Sequence, residues 1–284
     1  MANLKGMVMV ISWYPGHMHK ASQELAKASK QAHAMIELID ARAPRSSSNP
    51  MLSSFAPELP RIKVLAKADL ADENITMQWK THFKMAPRVS CLISENNRSI
   101  SLKILVNELK SLINDSLDTT QQKQLIVVGI PNVGKSTLLN AVIGKKIART
   151  GDEPAITRGQ QRVKIDAGWY LIDTPGLMWP KLENQDNAYK LACLGTIRNT
   201  AIDITDIGWY AAEFLFKEYP DRLKLRYGIS TNTTSVELLY DSIANKIGAL
   251  SKKGIPDYYK VSEVLLNDFR SGKLGRFSLE KPEI

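Results

Sequence analysis

Short, largely apolar runs separated by segments with helical spacing predict an open α/β sheet. The runs predicted to be buried strands cover 34–41, 61–66, 89–93 and 124–129. Apolar runs of this length between turn-rich segments are typical of parallel strands that are covered on both faces. Apolar positions at helical spacing predict helices over 17–31 and about 101–114. Because strands alternate with helices, we expect a mostly parallel open sheet.

The pattern changes towards the carboxyl terminus of the chain. Two further strands, near 161–165 and 169–173, are close enough along the chain to predict a hairpin. From about residue 180 onward the periodicity is helical only. We therefore expect a domain over residues 1–180 and a small all-α domain over residues 181–284.

Composition adds a polyanionic partner to this picture. The 284 residues carry a formal net charge of +9, and residues 120–170 hold eight Lys/Arg against three Asp/Glu. Clustered positive charge of this kind favours binding to phosphate groups. The two cysteines are far apart in sequence and have no His or Cys neighbour at metal spacing, which is typical of a reducing compartment.

The early apolar stretch MVMVISWY (7–14) is far shorter than a membrane-spanning helix and has no signal-peptide cleavage pattern. We therefore expect a cytoplasmic protein that does not insert into a membrane. The sequence carries no sign of an oligomer, and we expect a monomer.

The segment GIPNVGKST (129–137) matches the P-loop pattern G-x-x-x-x-G-K-[ST] between a predicted strand and a predicted helix. Gly129 and Gly134 allow the backbone N–H groups to approach phosphate closely. Lys135 is expected to reach the β- and γ-phosphates, and Ser136 to ligate Mg²⁺. The segment predicts a nucleotide-binding site.

A second phosphate-side motif follows in LIDTPGL (171–177). Asp173 at a strand end is expected to hold Mg²⁺, and the Gly176 N–H to meet the γ-phosphate. An ordinary Pro-Gly turn is the alternative for this motif when it is considered alone. Between the two motifs, Thr157 is the residue placed to close over Mg²⁺ and the γ-phosphate, and a simple loop threonine is its alternative.

A candidate base-binding loop lies before the P-loop, in KVLAKAD (63–69). The Asp69 carboxylate can accept hydrogen bonds from N1–H and the exocyclic amino group of guanine, a pair that adenine lacks. The aliphatic stem of Lys67 can pack on the base. Ser94 follows another predicted strand and is a candidate for a second base-side loop.

The order of these parts is rotated relative to an ordinary GTPase. Along this chain the base-binding loops come first, followed by the P-loop, Thr157 and the DTPG motif, whereas an ordinary GTPase begins with the P-loop. Open α/β domains tolerate such a circular permutation because their chain ends commonly lie close together. The sequence thus predicts a circularly permuted P-loop GTPase domain.

With this order, the chain resembles the circularly permuted GTPases of the YlqF/RbgA family, which act in assembly of the large ribosomal subunit. The motifs that carry the resemblance span nearly the whole chain: WYPGHM (13–18), DARAPRSSSNP (40–50), KADL (67–70), GIPNVGKSTLLN (129–140), DEPAITRGQQ (152–161), DTPGLMWPK (173–181) and LLNDFRSGKLGR (265–276). The resemblance implies a GTPase that is stimulated by the large subunit and a C-terminal helical domain that contacts rRNA.

The resemblance also implies roles for individual residues. His17 is expected to position the attacking water, since apolar Leu177 occupies the place where many small GTPases have a Gln. The alternative for His17 is a histidine near the start of a helix that makes only a local hydrogen bond. Asn132 is expected to bind K⁺. The complete sets are catalytic His17, Lys135 and Thr157; phosphate-binding Asn132, Val133, Gly134, Lys135, Ser136, Thr137 and Gly176; guanine-binding Lys67, Ala68, Asp69, Ser94 and Glu95; and Mg²⁺-binding Ser136, Thr157 and Asp173.

Three positions depart from the family pattern. Ala66 replaces an Asn that helps to hold the base, Ala155 replaces a Gly before Thr157, and Glu95 stands where Ala is usual. Loss of one hydrogen bond near the base corresponds to roughly ten-fold in affinity. We therefore expect guanine preference with weakened binding.

Three functional hypotheses remain open on sequence. The first is a GTPase that binds the immature large ribosomal subunit together with its rRNA, using GTP, Mg²⁺ and K⁺. The second is a degenerate nucleotide-binding scaffold at the ribosome, which the departures favour. The third is an ATP-using P-loop enzyme such as a small-molecule kinase, against which Asp69 argues. The predicted helix that ends at Gly272, with Arg270, Lys273 and Arg276 nearby, is either an RNA-contacting element or an ordinary capped helix.

Overall fold

The structure is a computed structural model that describes residues 16–95, 100–113, 122–143, 161–166, 169–173, 184–197, 202–229 and 233–283. The strands are β1 (Ala34–Asp40), β2 (Arg61–Ala66), β3 (Val89–Ile93), β4 (Lys123–Gly129), β5 (Gln161–Asp166) and β6 (Trp169–Asp173). The helices are α1 (Gly16–Ser29), α2 (Pro44–Ser47), α3 (Met51–Phe55), α4 (Glu73–Lys84), α5 (Leu102–Ile113), α6 (Lys135–Ile143), α7 (Gln185–Cys193), α8 (Ile204–Glu218), α9 (Pro220–Tyr227), α10 (Val236–Ile247) and α11 (Tyr258–Ser271).

The strands form one sheet in the order β3-β2-β1-β4-β6-β5. All neighbouring pairs are parallel except β5 and β6, which are antiparallel. The registers place Leu38 of β1 beside Val64 of β2 and Gly129 of β4. The carboxyl ends of five strands therefore meet at one edge of the sheet, where open α/β proteins bind their ligands. The predicted mostly parallel sheet is confirmed.

The central strands are buried along their whole length because helices cover the sheet. Every residue of β1 is buried, including the charged Glu37. Its carboxylate accepts from Lys63 Nζ at 2.7 Å, from the Ser48 hydroxyl at 2.8 Å and from the Asn49 N–H at 3.0 Å. A buried carboxylate is tolerated only with such partners. The segment 42–50 after β1 contains the short helix α2 and supplies two of these partners, Ser48 and Asn49.

The predicted elements agree closely with the observed ones, except that the short helices α2 and α3 and the longer helix α4 were not predicted. Strands β2 and β3 begin and end at the predicted residues, and α5 and α11 lie where helical spacing placed them. Helix α4 was missed. Its signals were Asp72, whose carboxylate caps the helix by accepting from the Ile75 N–H at 3.0 Å, and apolar Ile75, Trp79 and Phe83 spaced four residues apart.

The described part of the chain after residue 183 is helical, apart from a bridge between Leu250 and Pro256. Helices α8 and α11 approach closely at Gly208, where a Cβ atom would lie 2.5 Å from the Ser262 Cβ. The buried side chains of these helices belong to the same hydrophobic cluster as most buried side chains of the sheet. Ile39, Leu65 and Cys91 of the sheet pack instead with Ile75 and Trp79 of α4 in a second cluster. The expected boundary at 180/181 lies outside the described residues.

Candidate nucleotide-binding site

The predicted site residues lie at the carboxyl edge of the sheet. In the order of the strands across the sheet, this edge presents Ser94 after β3, Lys67 and Asp69 after β2, Asp40 at the end of β1, the P-loop after β4 and Asp173 at the end of β6. Residues that are far apart in sequence are therefore brought together by strand order alone. The base-side loops lie on one side of the P-loop and Asp173 lies on the other.

The P-loop has the backbone that close approach to an anion requires. A Cβ atom at Gly129 would lie 2.7 Å from the Leu38 carbonyl oxygen, so β4 can end here only with glycine. Asn132 and Gly134 have positive φ angles of 60° and 107°. A Cβ atom at Gly134 would meet no atom within 4 Å, so the loop borders open space. Such alternation of backbone conformation produces a concavity that binds anions.

Lys135 begins α6 and lies largely buried beneath this concavity. Its Nζ atom donates to the carbonyl oxygens of Gly129 and Ile130, each at 3.1 Å. The ammonium group is thus fixed beside the loop backbone. Ser136 and Thr137 follow at the helix N-terminus, and Val133 anchors the loop through its buried side chain. The predicted phosphate-binding residues from 132 to 137 therefore form the P-loop and the first turn of α6.

Asn132 connects the P-loop to the C-terminal helices. Its Nδ2 atom donates to the carbonyl oxygen of Gly195 at 2.8 Å, just after α7. Because the amide nitrogen is fixed in this way, α7 also determines the direction of the amide oxygen. This oxygen is the atom that would ligate a monovalent cation.

The base-side loops contact each other directly. Lys67 has a left-handed backbone, with φ of 55°, and the following residues Ala68–Leu70 form one 3-10 turn. The Ala68 N–H donates to the Ser94 carbonyl at 3.1 Å, and the Ser94 N–H donates to the Leu65 carbonyl at 2.9 Å. Glu95 follows, half-buried. Lys67, Ala68 and Asp69 thus form a turn that adjoins Ser94 and Glu95 at the end of β3.

An ion pair between Asp40 and Arg42 at the end of β1 supports Lys67, and no sequence motif had assigned a role to this pair. Arg42 Nε and Nη2 donate to the two carboxylate oxygens of Asp40 at 2.9 and 2.8 Å. Lys67 Nζ lies 3.8 Å from Asp40 Oδ2. Burial of Asp40 tends to raise the pKa of its carboxyl group, but the Arg42 guanidinium overrides this effect and holds the pKa below its ordinary value. The signal in the sequence was a pair of charges next to a buried strand.

Other predicted residues are described in part or not at all. His17 lies in the first turn of α1, and Asp173 is the last residue of β6, beside Val127 of β4. Their side chains, together with Thr157, Gly176, Ala155 and Leu177, lie outside the described residues. Ala66 is the last residue of β2, and its buried side chain is a methyl group that cannot form hydrogen bonds.

Comparisons with known proteins decide the family. A family described as 50S ribosome-binding GTPase matches residues 124–207. Ribosome biogenesis GTPase A of Bacillus cereus is 40% identical over 282 residues, which cover 97% of this chain and 95% of that protein. The chain belongs to the ribosome biogenesis GTPase A family. Its relative of the same name in Thermotoga maritima is 30% identical, with 96% of this chain and 95% of that protein covered.

Solved structures of the family have the same fold. GNP-bound YlqF from T. maritima superposes with a TM-score of 0.66 at 27% identity, covering 93% of this chain and 99% of that one. The GDP-bound structure of TM YlqF gives a TM-score of 0.69, also at 27% identity, with 92% and 100% covered. The predicted permuted GTPase fold of the ribosome biogenesis GTPase A family is confirmed.

The residues present fit a Mg²⁺-nucleotide, which GTPases of this kind typically use. The P-loop borders open space at Gly134, the Lys135 ammonium is held at the loop backbone, and Ser136 follows in the first turn of α6. Among the described residues, no group of three His, Cys, Asp or Glu side chains is placed to hold a metal ion by itself. Mg²⁺ beside a nucleotide is usually bound through substrate phosphates and only one or two protein oxygens. None of the helices in the described ranges is both long and apolar enough to cross a bilayer.

Proposed function

We propose that this protein is a GTPase that binds the immature large ribosomal subunit and dissociates after it has hydrolysed GTP. The observation that carries the proposal is the order of groups at the sheet edge: Ser94, then Lys67 with Asp69, then the P-loop. This order matches the base-to-phosphate direction of one bound nucleotide. The family membership supports the ribosomal partner, since the relatives are ribosome biogenesis GTPases.

The phosphate side of the site acts by electrostatic stabilisation. Lys135 and the P-loop N–H groups neutralise the charge that develops on the transferred phosphoryl group. Ser136, Asp173 and Thr157 would hold Mg²⁺, which supplies positive charge between the β- and γ-phosphates. Asn132 would ligate K⁺ through its amide oxygen, and Gly176 would donate its N–H to the γ-phosphate.

The attacking water needs its own positioning group, for which we propose His17 at the start of α1. The apolar side chain of Leu177 cannot donate or accept a hydrogen bond. A His17→Ala variant is expected to lower turnover while leaving GDP affinity within about two-fold, because the imidazole would act on water and not on the base. Equal turnover in the variant and the parent would remove His17 from the mechanism.

The base side provides specificity. Asp69 would accept from N1–H and the exocyclic amino group of guanine, while Lys67, held by Asp40, packs its stem on the ring. Competition titrations of GDP and ADP against a fluorescent guanine nucleotide test this assignment. GDP is expected to bind much more tightly than ADP, and equal affinities would favour an ATP-using enzyme.

The C-terminal helices, which we propose as a domain over residues 181–284, supply a candidate RNA contact. Between α10 and α11 lies a hairpin that is closed by the Leu250–Pro256 bridge and by a 2.8 Å hydrogen bond from the Ser251 N–H to the Ile255 carbonyl. Its exposed tip carries Lys252 and Lys253. Lysines can neutralise phosphate, and an exposed apolar side chain such as Ile255 can contact unstacked bases.

A pair of charge-reversal variants tests the hairpin. Lys252→Glu/Lys253→Glu is expected to weaken co-sedimentation with large subunits and to reduce its salt dependence. Lys103→Glu/Lys110→Glu, on the exposed face of α5, makes the same change of charge elsewhere. If both pairs weaken binding equally, the hairpin has no specific part in the contact.

Turnover with and without large subunits, measured in K⁺ and in Na⁺, tests the proposed function as a whole. We expect stimulation by subunits that is greater in K⁺. A second candidate, a nucleotide-binding scaffold with little turnover, is favoured by the missing polar side chain at Ala66. Absence of any stimulation in K⁺ would select the scaffold. The free, buried thiols of Cys91 and Cys193 are consistent with action in the cytoplasm, and we propose a monomer.

A further inference from the structure

Ala66, the last residue of β2, gives the guanine-binding loop no side-chain hydrogen bond to the P-loop. The Ala66 methyl group cannot form hydrogen bonds, and its backbone oxygen is already used by the Ala41 N–H at 2.9 Å. Simultaneous binding of base and phosphate nevertheless requires a fixed distance between the two loops, because a loosely held site loses affinity to the entropy of ordering. The paired strands β2, β1 and β4 bring the two loops to one edge of the sheet, and contacts from elsewhere in the chain can fix the loop residues that extend beyond the strands.

Residues 269–280, here called the bridging segment, contact the guanine-binding loop directly. The Phe277 N–H donates to the Leu70 carbonyl at 3.1 Å, and the Asp72 N–H donates to the Ser278 hydroxyl at 3.2 Å. The backbone of Gly272 lies against the Leu70 side chain, where a Cβ atom would come within 2.7 Å of Leu70 Cδ2. These contacts hold the turn that carries Asp69 from its far side.

The same segment reaches the P-loop through the end of α7. Arg270 Nε donates to the Cys193 carbonyl and Arg270 Nη2 to the Ala192 carbonyl, both at 2.9 Å. These bonds satisfy terminal carbonyls of α7 and fix the turn that follows. Gly195 in that turn accepts the Asn132 amide at 2.8 Å. The P-loop is thus connected to Arg270 through one short turn.

The bridging segment is itself anchored firmly enough to transmit position. The buried rings of Phe269 and Phe277 pack with centroids 4.4 Å apart. Arg42, at the end of β1, donates to the Phe269 carbonyl at 3.3 Å and accepts at its own carbonyl from the Leu279 N–H at 2.7 Å. Further along, the Trp79 indole N–H donates to the Glu280 carbonyl at 3.1 Å.

We infer that the bridging segment is a positioning element that holds the guanine-binding loop and the P-loop at the separation of a bound guanine nucleotide, and so sets nucleotide affinity and base discrimination. The inference rests on the proposed function, in which Lys67 and Asp69 bind guanine. Because the segment continues from α11, anything that moves α11 changes nucleotide affinity. If a binding partner moves α11 and so changes nucleotide affinity, linkage requires that the nucleotide change the affinity for this partner by the same factor.

Two single-residue variants separate the two ends of the segment. Ser278→Ala removes only the acceptor for the Asp72 N–H. Arg270→Met removes the donors to α7 and keeps a side chain of similar length. Their matched controls are Ser242→Ala, whose exposed hydroxyl bonds to the Leu238 carbonyl, and Lys110→Met on the exposed face of α5.

Affinities for GDP and IDP are measured by displacement of a fluorescent guanine nucleotide from the full chain. IDP is chosen because it lacks the exocyclic amino group, which would donate a hydrogen bond to the Asp69 carboxylate. Ser278→Ala is expected to weaken GDP binding about five-fold and to lower the ratio of GDP affinity to IDP affinity, because it loosens the turn that carries Asp69. Arg270→Met is expected to weaken the binding of GDP and of IDP by one common factor, because it loosens the P-loop, which contacts the phosphates of both. The controls stay within about two-fold of the parent.

Hydrogen exchange on the unmodified protein gives a readout that does not depend on variants. Addition of GDP is expected to slow exchange at the amides of Asp72 and Phe277. Equal affinities of the parent protein for GDP and IDP would refute the assignment of Asp69 as the residue that binds guanine. A protein that discriminates normally, yet shows an unchanged ratio in Ser278→Ala and unchanged exchange at these amides, refutes the bridging segment alone.

Discussion

The buried ion pair between Asp40 and Arg42 gives the sharpest prediction for stability. Arg42 has no exposed surface and donates two short bonds to Asp40, which is 2% exposed. The variant Arg42→Met keeps a side chain of similar volume but leaves the buried carboxylate with Lys67 Nζ, at 3.8 Å, as its remaining cation among the described residues. Breaking a buried pair from one side costs about 3–5 kcal/mol, and the remaining Lys67 places the expected loss near the lower end.

Urea denaturation at several pH values measures this loss. In the parent, the pKa of Asp40 lies below its ordinary value, so the pair stabilises the fold at neutral pH and the contribution is lost as the pH falls through that lowered pKa. In Arg42→Met, burial without the guanidinium raises the pKa of Asp40 instead. The deficit of the variant relative to the parent should therefore shrink between pH 7 and pH 4.

The double variant Asp40→Asn/Arg42→Met is the control, because it removes both charges. It should recover at least half of the free energy of unfolding that the single variant loses. A single-variant loss below about 1 kcal/mol, or a deficit that does not change with pH, would refute the account of Asp40 as a buried carboxylate that depends on Arg42.

Three further outcomes follow from particular residues. Ala66→Asn should tighten GDP binding about five-fold by adding a hydrogen-bonding side chain at the guanine-binding loop, and an unchanged titration would contradict the placement of that loop. Gly129→Ala should lower the free energy of unfolding by about 1–3 kcal/mol in urea, because the added Cβ overlaps the Leu38 carbonyl. Burial raises the pKa of the Cys91 and Cys193 thiols to about 12, so iodoacetamide at pH 8 should label both only after denaturation; rapid labelling of the native protein would show that they are accessible.

Features that depend on residues adjacent in sequence were predictable from the sequence. Strands β2 and β3 were located to the residue because short apolar runs in a parallel sheet have few alternatives. The P-loop followed from the spacing of Gly129, Gly134 and Lys135. The relative order of the base-side and phosphate-side loops followed from the same runs, since parallel strands bring their carboxyl ends to one edge.

Features built from distant residues were not predictable. The bonds from Asn132 to Gly195 and from Arg270 to α7 join segments whose proximity no local pattern encodes. The charges of Asp40 and Arg42 next to a buried strand were visible in the sequence, but the bond from Arg42 to the Phe269 carbonyl, 227 residues away, was not. Arg270 was grouped with Lys273 and Arg276 as a cation near the helix end, but it is half-buried against α7, while Lys273 and Arg276 lie 3.5 Å from carboxylate oxygens of Asp268 and Glu73.

The position of the bridging segment has a consequence for synthesis of the chain. The partners Asp72 and Ser278 are 206 residues apart, and Arg42 and Phe269 are 227 apart. Contacts of such long range form late in folding. Strands β1 to β4 and the P-loop leave the translating ribosome long before residues 269–280, and domains fold from the amino-terminal side during synthesis. A nascent chain would therefore hold guanine nucleotides poorly until residues 269–280 emerge, although its P-loop is synthesised long before.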